Sequence, residues 1–322
     1  MAKEMIYVVG AGGIGMPLAA LLANNGAAVT AVRTSTESLE PQLTDVVIDP
    51  LVEEPRHARV RTLSLSKISG SDGGIIAVTA KATTNRCIAP ELFRRIGDLP
   101  VVIMQNGIGV ETPFIEAGFT NVYRCVIYAT GQQTDTSTYR FREVAPSPIG
   151  AVHGDGTETA AIVNRLCTPA FRFETAERIE RDVWKKAILN AAFNSICPLM
   201  NVDNGVFHRE SDVAQIARTI LEEANEVAQR IGINLTTEEL MEQLLLISRR
   251  SDGQLISTLQ DLNSGKETEI DYLNLAISHV GAALEPPVDP KMTRVLGELV
   301  SAKSRIARAA LPESTQNIQQ NS

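Results

Sequence analysis

The chain has 322 residues, 44% hydrophobic and 21% charged, an ordinary globular composition with enough length for two domains. Its formal net charge is −8 and no long Lys/Arg run occurs, which argues against nucleic acid or an anionic membrane as the main partner. Cys87, Cys125, Cys167 and Cys197 form no CxxC pair, and the four histidines show no ligand spacing. Neither a metal site nor a disulfide framework is indicated, and a reducing cytoplasm is the expected setting.

Met5–Val9 reads as a buried strand, Gly13–Asn24 as a helix stopped by Gly26, and Ala28–Val32 as a second strand. The run from Met5 to Ala23 is mostly apolar. Gly10, Gly12, Gly13, Gly15 and Pro17 interrupt it, however, so it reads as strand, tight turn and helix rather than a membrane span. Residues 34–66 carry little signal. Strands are expected at Gly74–Val78, Val101–Met104 and Val122–Tyr128, with a helix over Pro90–Ile96. Thr138–Val144 and Ser147–Val152 read as a hairpin turning near Pro146 and Pro148. From about Glu177 the pattern becomes helical, over 181–200, 211–231, 237–250, 267–284 and 290–310. The polar end Pro312–Ser322 reads as disordered.

The class is therefore α/β: an N-terminal Rossmann-type parallel-sheet domain over 1–177, a C-terminal all-α domain over 178–311, and a tail over 312–322. The turn after the first strand is Gly10-Ala11-Gly12-Gly13-Ile14-Gly15. In this GxGxxG, Gly10 permits the tight turn, Gly12 lets backbone approach a pyrophosphate, and Gly15 lets helix and strand pack closely. The helix N-terminus then offers N–H groups to the phosphates. A lone GxGxxG is weak, but strand before and helix after are the confirming context. The second strand ends in Arg33-Thr34-Ser35 rather than in an acidic residue. A guanidinium there suits a 2′-phosphate, so NADP(H) is the expected cofactor.

Two further strands end in polar residues, at Lys81 and at Asn106-Gly107. Lys81 can meet the cofactor or an acidic substrate, and Asn106 can donate near the nicotinamide. An ordinary loop lysine and a simple Asn-Gly turn are the plain alternatives. In the helical half, Lys186, Asn190 and Asn194 stand at i, i+4 and i+8, a polar stripe on an apolar helix. Lys185 lies on a different face. Buried polar groups need partners, supplied either by a small polar substrate or by other helices. Thr268 and Glu269 read as the opening of an amphipathic helix.

Taken in order, the glycine fingerprint, Arg33, Lys81, Asn106-Gly107, the Lys186/Asn190/Asn194 helix, Asn204-Gly205, Ser257 and Thr268-Glu269-Ile270-Asp271 resemble the ketopantoate reductase (2-dehydropantoate 2-reductase) family. The resemblance runs from Met5 to about Lys303. It implies NADPH-dependent reduction of a 2-oxo acid, with ketopantoate becoming pantoate on the way to pantothenate. It makes Lys186 and Glu269 the catalytic residues, Lys186 as the proton donor and Glu269 as an acid on the cofactor side. Asn106, Asn190, Asn194, Asn204 and Ser257 would hold the keto acid or orient the lysine, and Ala129 would offer a backbone contact to the cofactor. Reduction of another 2-oxo acid and a non-catalytic NADP(H) sensor are the alternatives. A homodimer is one option for the assembly. Leu275 departs from the family, which commonly has glycine there.

Overall fold

The computed structural model describes residues 4–36, 38–49, 54–68 and 73–310. The expected tail 312–322 lies outside them. The chain divides into two compact units. One comprises the residues up to Gln105 together with Val110–Ile179; the other comprises Asn106–Gly109 and the chain from Glu180.

Among the described residues the first unit is built on eleven strands: β1 Met5–Val9, β2 Val29–Arg33, β3 Gln42–Asp49, β4 Arg56–Ser64, β5 Gly74–Val78, β6 Val101–Ile103, β7 Val122–Cys125, β8 Ala129–Gln133, β9 Thr138–Glu143, β10 Ser147–His153 and β11 Phe173–Thr175. They form one sheet in the order β11-β10-β7-β6-β5-β1-β2-β4-β3-β9-β8. Its central strands β4-β2-β1-β5-β6-β7 are all parallel. That is the 3-2-1-4-5-6 order of a dinucleotide-binding sheet, with the switch point between β1 and β5. Residues 34–66, where the sequence offered little, supply β3 antiparallel to β4. Helices α1 Gly15–Asn24, α2 Asn85–Ile96, α3 Thr112–Glu116 and α4 Thr159–Leu166 complete the unit. Helix α2 starts five residues before Pro90, because a 3-10 turn at Ala82–Thr84 runs directly into it.

The expected hairpin between Thr138–Val144 and Ser147–Val152 does not form. Both segments are strands, but β9 pairs with β3 and β8, whereas β10 pairs with β7 and β11. The expected strand Val122–Tyr128 stops at Cys125, and the chain turns into β8. There the Tyr128 N–H goes to Ser147 Oγ at 2.9 Å instead of to a ladder, and the Tyr128 carbonyl accepts from Val144 N at 2.8 Å.

Short links then dictate the shape of the sheet. Were it flat, β9 and β10 would stand about 38 Å apart. Residues 144–146 span at most about 15 Å. The sheet therefore curls, and the β8–β9 end returns towards β7 and β10. Helix α1 sits inside the curl. Its residues from Gly15 to Leu22 are all buried, and they share one core with Val46, Ile48, Ala58, Val60, Tyr139 and Phe141 of the outer strands. A helix apolar on every side is stable only when enclosed in this way.

The second unit is helical: α5 Ile179–Met200, α6 Val206–Arg209, α7 Ser211–Arg230, α8 Thr237–Arg250, α9 Ser257–Asn263, α10 Asn274–Ala282 and α11 Lys291–Ala309. Helix α5 is largely buried. Trp184, Ile188, Leu189, Ala192, Phe193 and Ile196 are buried among residues of α7, α8 and α10. No described helix is long and apolar enough to cross a membrane.

The expected helix 267–284 is broken. Thr268 and Glu269 do not open it. A 3-10 turn at Ile270–Tyr272 comes first, Leu273 leaves the helical region (φ −113°, ψ −98°), and α10 begins at Asn274. Asn274 explains the break. Its buried amide donates to Ala191 O and Thr293 O, both at 3.2 Å, and these bonds pull the chain into the core. Leu275 faces α11 at Gly297, where an added Cβ would come within 3.0 Å of it. The extra bulk at 275 is therefore matched by the missing side chain at 297, between two helices.

Candidate active site

The glycine turn leaves β1 at the switch point. Gly10 has φ +110°, and a Cβ there would lie 2.3 Å from Ala80 N, so both conformation and space require glycine. A Cβ on Gly15 would lie 1.9 Å from Gly10 O. Gly12 is different: it is exposed, and a Cβ would meet nothing within 4 Å. Space is thus open where backbone would meet a pyrophosphate. No side chain caps the start of α1 and no acid stands in its first turn, so no carboxylate repels an anion there. Ala11 and Ile14 are half-buried in the same turn.

Strand β8, which begins at Ala129, crosses this turn. A Cβ on Gly131 would lie 2.0 Å from Gly13 O, and one on Gly13 would lie 2.4 Å from Gly131 O. Gly131 was not legible in the sequence, because no spacing rule links it to a motif more than a hundred residues earlier.

Arg33 ends β2 half-buried, opposite Ser64 of β4. It hydrogen-bonds the hydroxyl of Tyr139 on β9. Burial pushes the Tyr139 phenol up, and the Arg33 charge and hydrogen bond oppose this. Lys81 follows β5. Its carbonyl accepts Thr84 N at 3.0 Å and Thr84 Oγ1 at 2.8 Å, closing the 3-10 turn.

Asn106 follows β6 but belongs with the helical unit. Ile108 N donates to Tyr272 O at 2.8 Å. Gly107 has φ +105°, and a Cβ there would lie 2.6 Å from Tyr272 O. Glu269, half-buried, accepts Tyr272 N at its carbonyl at 3.0 Å. The turn at Tyr272 thus connects the neighbourhoods of Asn106 and Glu269.

On α5, Lys186 and Asn190 are half-buried and Asn194 is buried. Asn194 Nδ2 donates to Asn190 O at 3.0 Å, and its Oδ1 accepts from Thr258 Oγ1 at 2.7 Å. That second bond docks the start of α9 on α5 and brings in the exposed Ser257. Thr258 had no signal of its own in the sequence. Lys185, one residue from Lys186, is committed elsewhere: its ammonium pairs with Glu239 at 2.7 Å, which Arg181 also holds at 2.8 Å.

Asn204 is held by its backbone. Its N–H donates to Gln254 O at 2.9 Å and its carbonyl accepts from Ser248 Oγ at 2.8 Å, while its side-chain Oδ1 is buried with no hydrogen-bond partner among the described residues. A buried acceptor left unpaired costs about 1–3 kcal/mol. Asp203 fastens the same loop. It accepts Gly205 N at 2.7 Å and Gly253 N at 3.1 Å and pairs with Arg209 at 2.8 Å; Arg209 also pairs with Asp252.

The Arg209 hydrogen bond, with smaller contributions from those backbone N–H groups, lowers the Asp203 pKa from 3.8 to about 2. A carboxylate depressed in the folded state contributes stability above its unfolded pKa and loses it as pH falls through its folded value. Between about pH 4 and pH 2 the wild type is therefore expected to lose stability more steeply than Asp203→Asn. Urea midpoints across that range check this, and parallel curves would refute it. Cys197, buried beside this loop, has its thiol pushed up to about 12 by burial, so it stays protonated.

A Rossmann-type sheet with a glycine turn at its switch point, followed by an all-helical unit bearing a lysine–asparagine face, defines a nucleotide-dependent oxidoreductase class. Residues 6–154 match the family model described as ketopantoate reductase PanE/ApbA, and residues 178–304 match the model of its C-terminal part. The chain belongs to the ketopantoate reductase family. It is 27% identical over 305 residues to the 2-dehydropantoate 2-reductase of Pyrococcus horikoshii, covering 94% of this chain and 98% of that one. Among solved structures it resembles a PanE/ApbA family ketopantoate reductase from Ralstonia eutropha JMP134, with TM-score 0.81, 23% identity and coverage of 95% and 100%. D-mandelate dehydrogenase in a ternary structure with NADH and anilino(oxo)acetate shares the fold at TM-score 0.79 and 22% identity, covering 94% of this chain and 99% of that one.

Proposed function

We propose that this protein reduces 2-dehydropantoate to pantoate with NADPH, in pantothenate biosynthesis. The observation that carries the reading is the Lys186–Asn190–Asn194 face, with Lys186 and Asn190 half-buried and Asn194 buried, on helix α5 of a ketopantoate reductase family member. The first unit suits the cofactor: Gly12 leaves open space at the head of an uncapped helix, and Arg33 stands at the end of β2. Gly10 to Gly15 hold the pyrophosphate in this reading, with Arg33 on the 2′-phosphate and Lys81, Asn106, Ala129 and Glu269 as further contacts.

Bound NADPH supplies the hydride that adds to the C2 carbonyl carbon. Lys186 then acts at the ketone oxygen. Its ammonium stabilises the negative charge that develops there and gives the proton that completes the 2-hydroxy acid. Asn106, Asn190 and Asn194 orient keto acid and lysine without adding charge, and Ser257 adds a hydroxyl. Asn204 offers its unpartnered Oδ1 as an acceptor for a hydroxyl donor, which ketopantoate carries at C4 and simpler 2-oxo acids lack.

The test is NADPH consumption with ketopantoate compared with a panel of 2-oxo acids. The highest kcat/KM is expected for ketopantoate; a better substrate without the hydroxyl would overturn the assignment. Arg33→Ala is expected to lower kcat/KM for NADPH by about ten- to a hundredfold, the value of hydrogen bonds to a charged group, while leaving NADH nearly unchanged. Equal losses with both cofactors would remove Arg33 from the 2′-phosphate.

A further inference from the structure

Just past the carboxyl ends of β5 and β6 lies a set of buried side chains that the reaction scheme does not use. Asn85 is the first residue of α2 and is fully buried; Gln105 follows β6 and is 7% exposed. Their amides face each other. Asn85 Nδ2 donates to Gln105 Oε1 and Gln105 Nε2 donates to Asn85 Oδ1, both at 2.7 Å. Each amide has one N–H left over. Gln105 gives its to Ala80 O at 2.6 Å, and Asn85 gives its to Val110 O at 2.8 Å. Arg124, rising from β7, donates to Gln105 O at 3.1 Å and pairs with Glu111 at 2.5 Å.

The placement of these bonds is selective. Ala80 is the residue before Lys81. Gln105 and Val110 are the two residues between which Asn106–Gly109 leaves the first unit. The amide pair therefore fastens the chain next to Lys81 and at both ends of the Asn106 loop. Two buried amides satisfied at every N–H have one arrangement, so they set position as well as contribute energy. Packing alone could be met by apolar residues of the same shape.

We propose that Asn85 and Gln105 are positioning residues that place Lys81 and Asn106 for the nicotinamide half of the cofactor. The inference rests on the reading of those two residues given above. The adenosine half, at the glycine turn and Arg33, does not depend on the pair.

The test compares Gln105→Met, Asn85→Leu and the double variant in the full-length protein, with NADPH and adenosine 2′,5′-bisphosphate as probes. Each single variant leaves buried polar groups unpaired and is expected to be destabilised. The double variant removes the facing amides together, so only Ala80 O and Val110 O lose a donor, and it is expected to recover part of the urea midpoint that the single variants lose. NADPH affinity is expected to stay reduced in the double variant by on the order of tenfold or more, because Ala80 O and Val110 O are no longer held. Affinity for the bisphosphate is expected to match wild type.

Should NADPH binding recover together with stability, the pair serves packing only and the proposal fails. It fails equally if both probes weaken alike. Because these readouts are binding and stability, they decide the matter even if ketopantoate proves not to be the wild type's substrate.

Discussion

Lys186→Ala is expected to lose turnover with ketopantoate by on the order of 10²–10⁴-fold, the range for removal of a general acid. The fold should survive. Alanine is the best helix former, and Lys186 is only half-buried on a helix whose core contacts come from Trp184, Ile188, Leu189, Ala192 and Phe193. Lys185 cannot stand in for the missing ammonium. It lies on another face and is held by Glu239 in an ion pair that Arg181 shares. NADPH affinity should change little, since the residues assigned to its pyrophosphate and 2′-phosphate lie in the first unit. Steady-state NADPH oxidation, with a separate binding titration, checks both halves. Undiminished turnover would sink the lysine assignment and place the proton donor elsewhere.

The second large effect separates folding from binding within one motif. Gly15→Val should disrupt the first unit itself, because a Cβ there would stand 1.9 Å from Gly10 O and 2.3 Å from Thr79 Oγ1, inside their van der Waals radii. The neighbouring atoms are backbone and a hydroxyl that itself donates to Gly10 O at 2.8 Å, so they cannot yield without breaking the turn. Overpacking of this kind costs about 1–3 kcal/mol or more. Gly12→Ala should behave oppositely. Its Cβ meets nothing within 4 Å, so the melting temperature should stay near wild type. NADPH affinity should still fall at least about tenfold, because the methyl occupies the approach of the pyrophosphate. Thermal unfolding and NADPH titration on both variants test the pair of claims. Wild-type NADPH binding by Gly12→Ala would show that the cofactor does not lie over this turn.

Much of this architecture is local and was legible for that reason. The β1–turn–α1–β2 unit announces itself in thirty residues, since glycine placement and apolar runs act over neighbouring positions. Helices α7, α8 and α11 follow from their apolar periodicity to within a residue. Where the reading failed, a distant partner had won. Asn274 broke the expected helix 267–284 by bonding Ala191 and Thr293, and β9 and β10 found partners on opposite sides of the sheet instead of each other. The amide pair of Asn85 and Gln105 joins residues whose sequence context is unremarkable.

The amino-acid sequence by itself determined the glycine turn, the arginine at the end of β2, the spacing that puts Lys186, Asn190 and Asn194 on one helix face, and the change from strands to helices near residue 177. These are consequences of short-range geometry, the two-residue period of strands and the 3.6-residue period of helices. Only the tertiary structure decided that the sheet curls around α1, that Gly131 must lie against Gly13, that Leu275 is accommodated by Gly297, and that Asn106 belongs with Tyr272. Each of those depends on close approach between segments far apart in the chain. Such approach is set by packing volume and by the requirement that buried polar groups find partners, and neither is written in any local pattern.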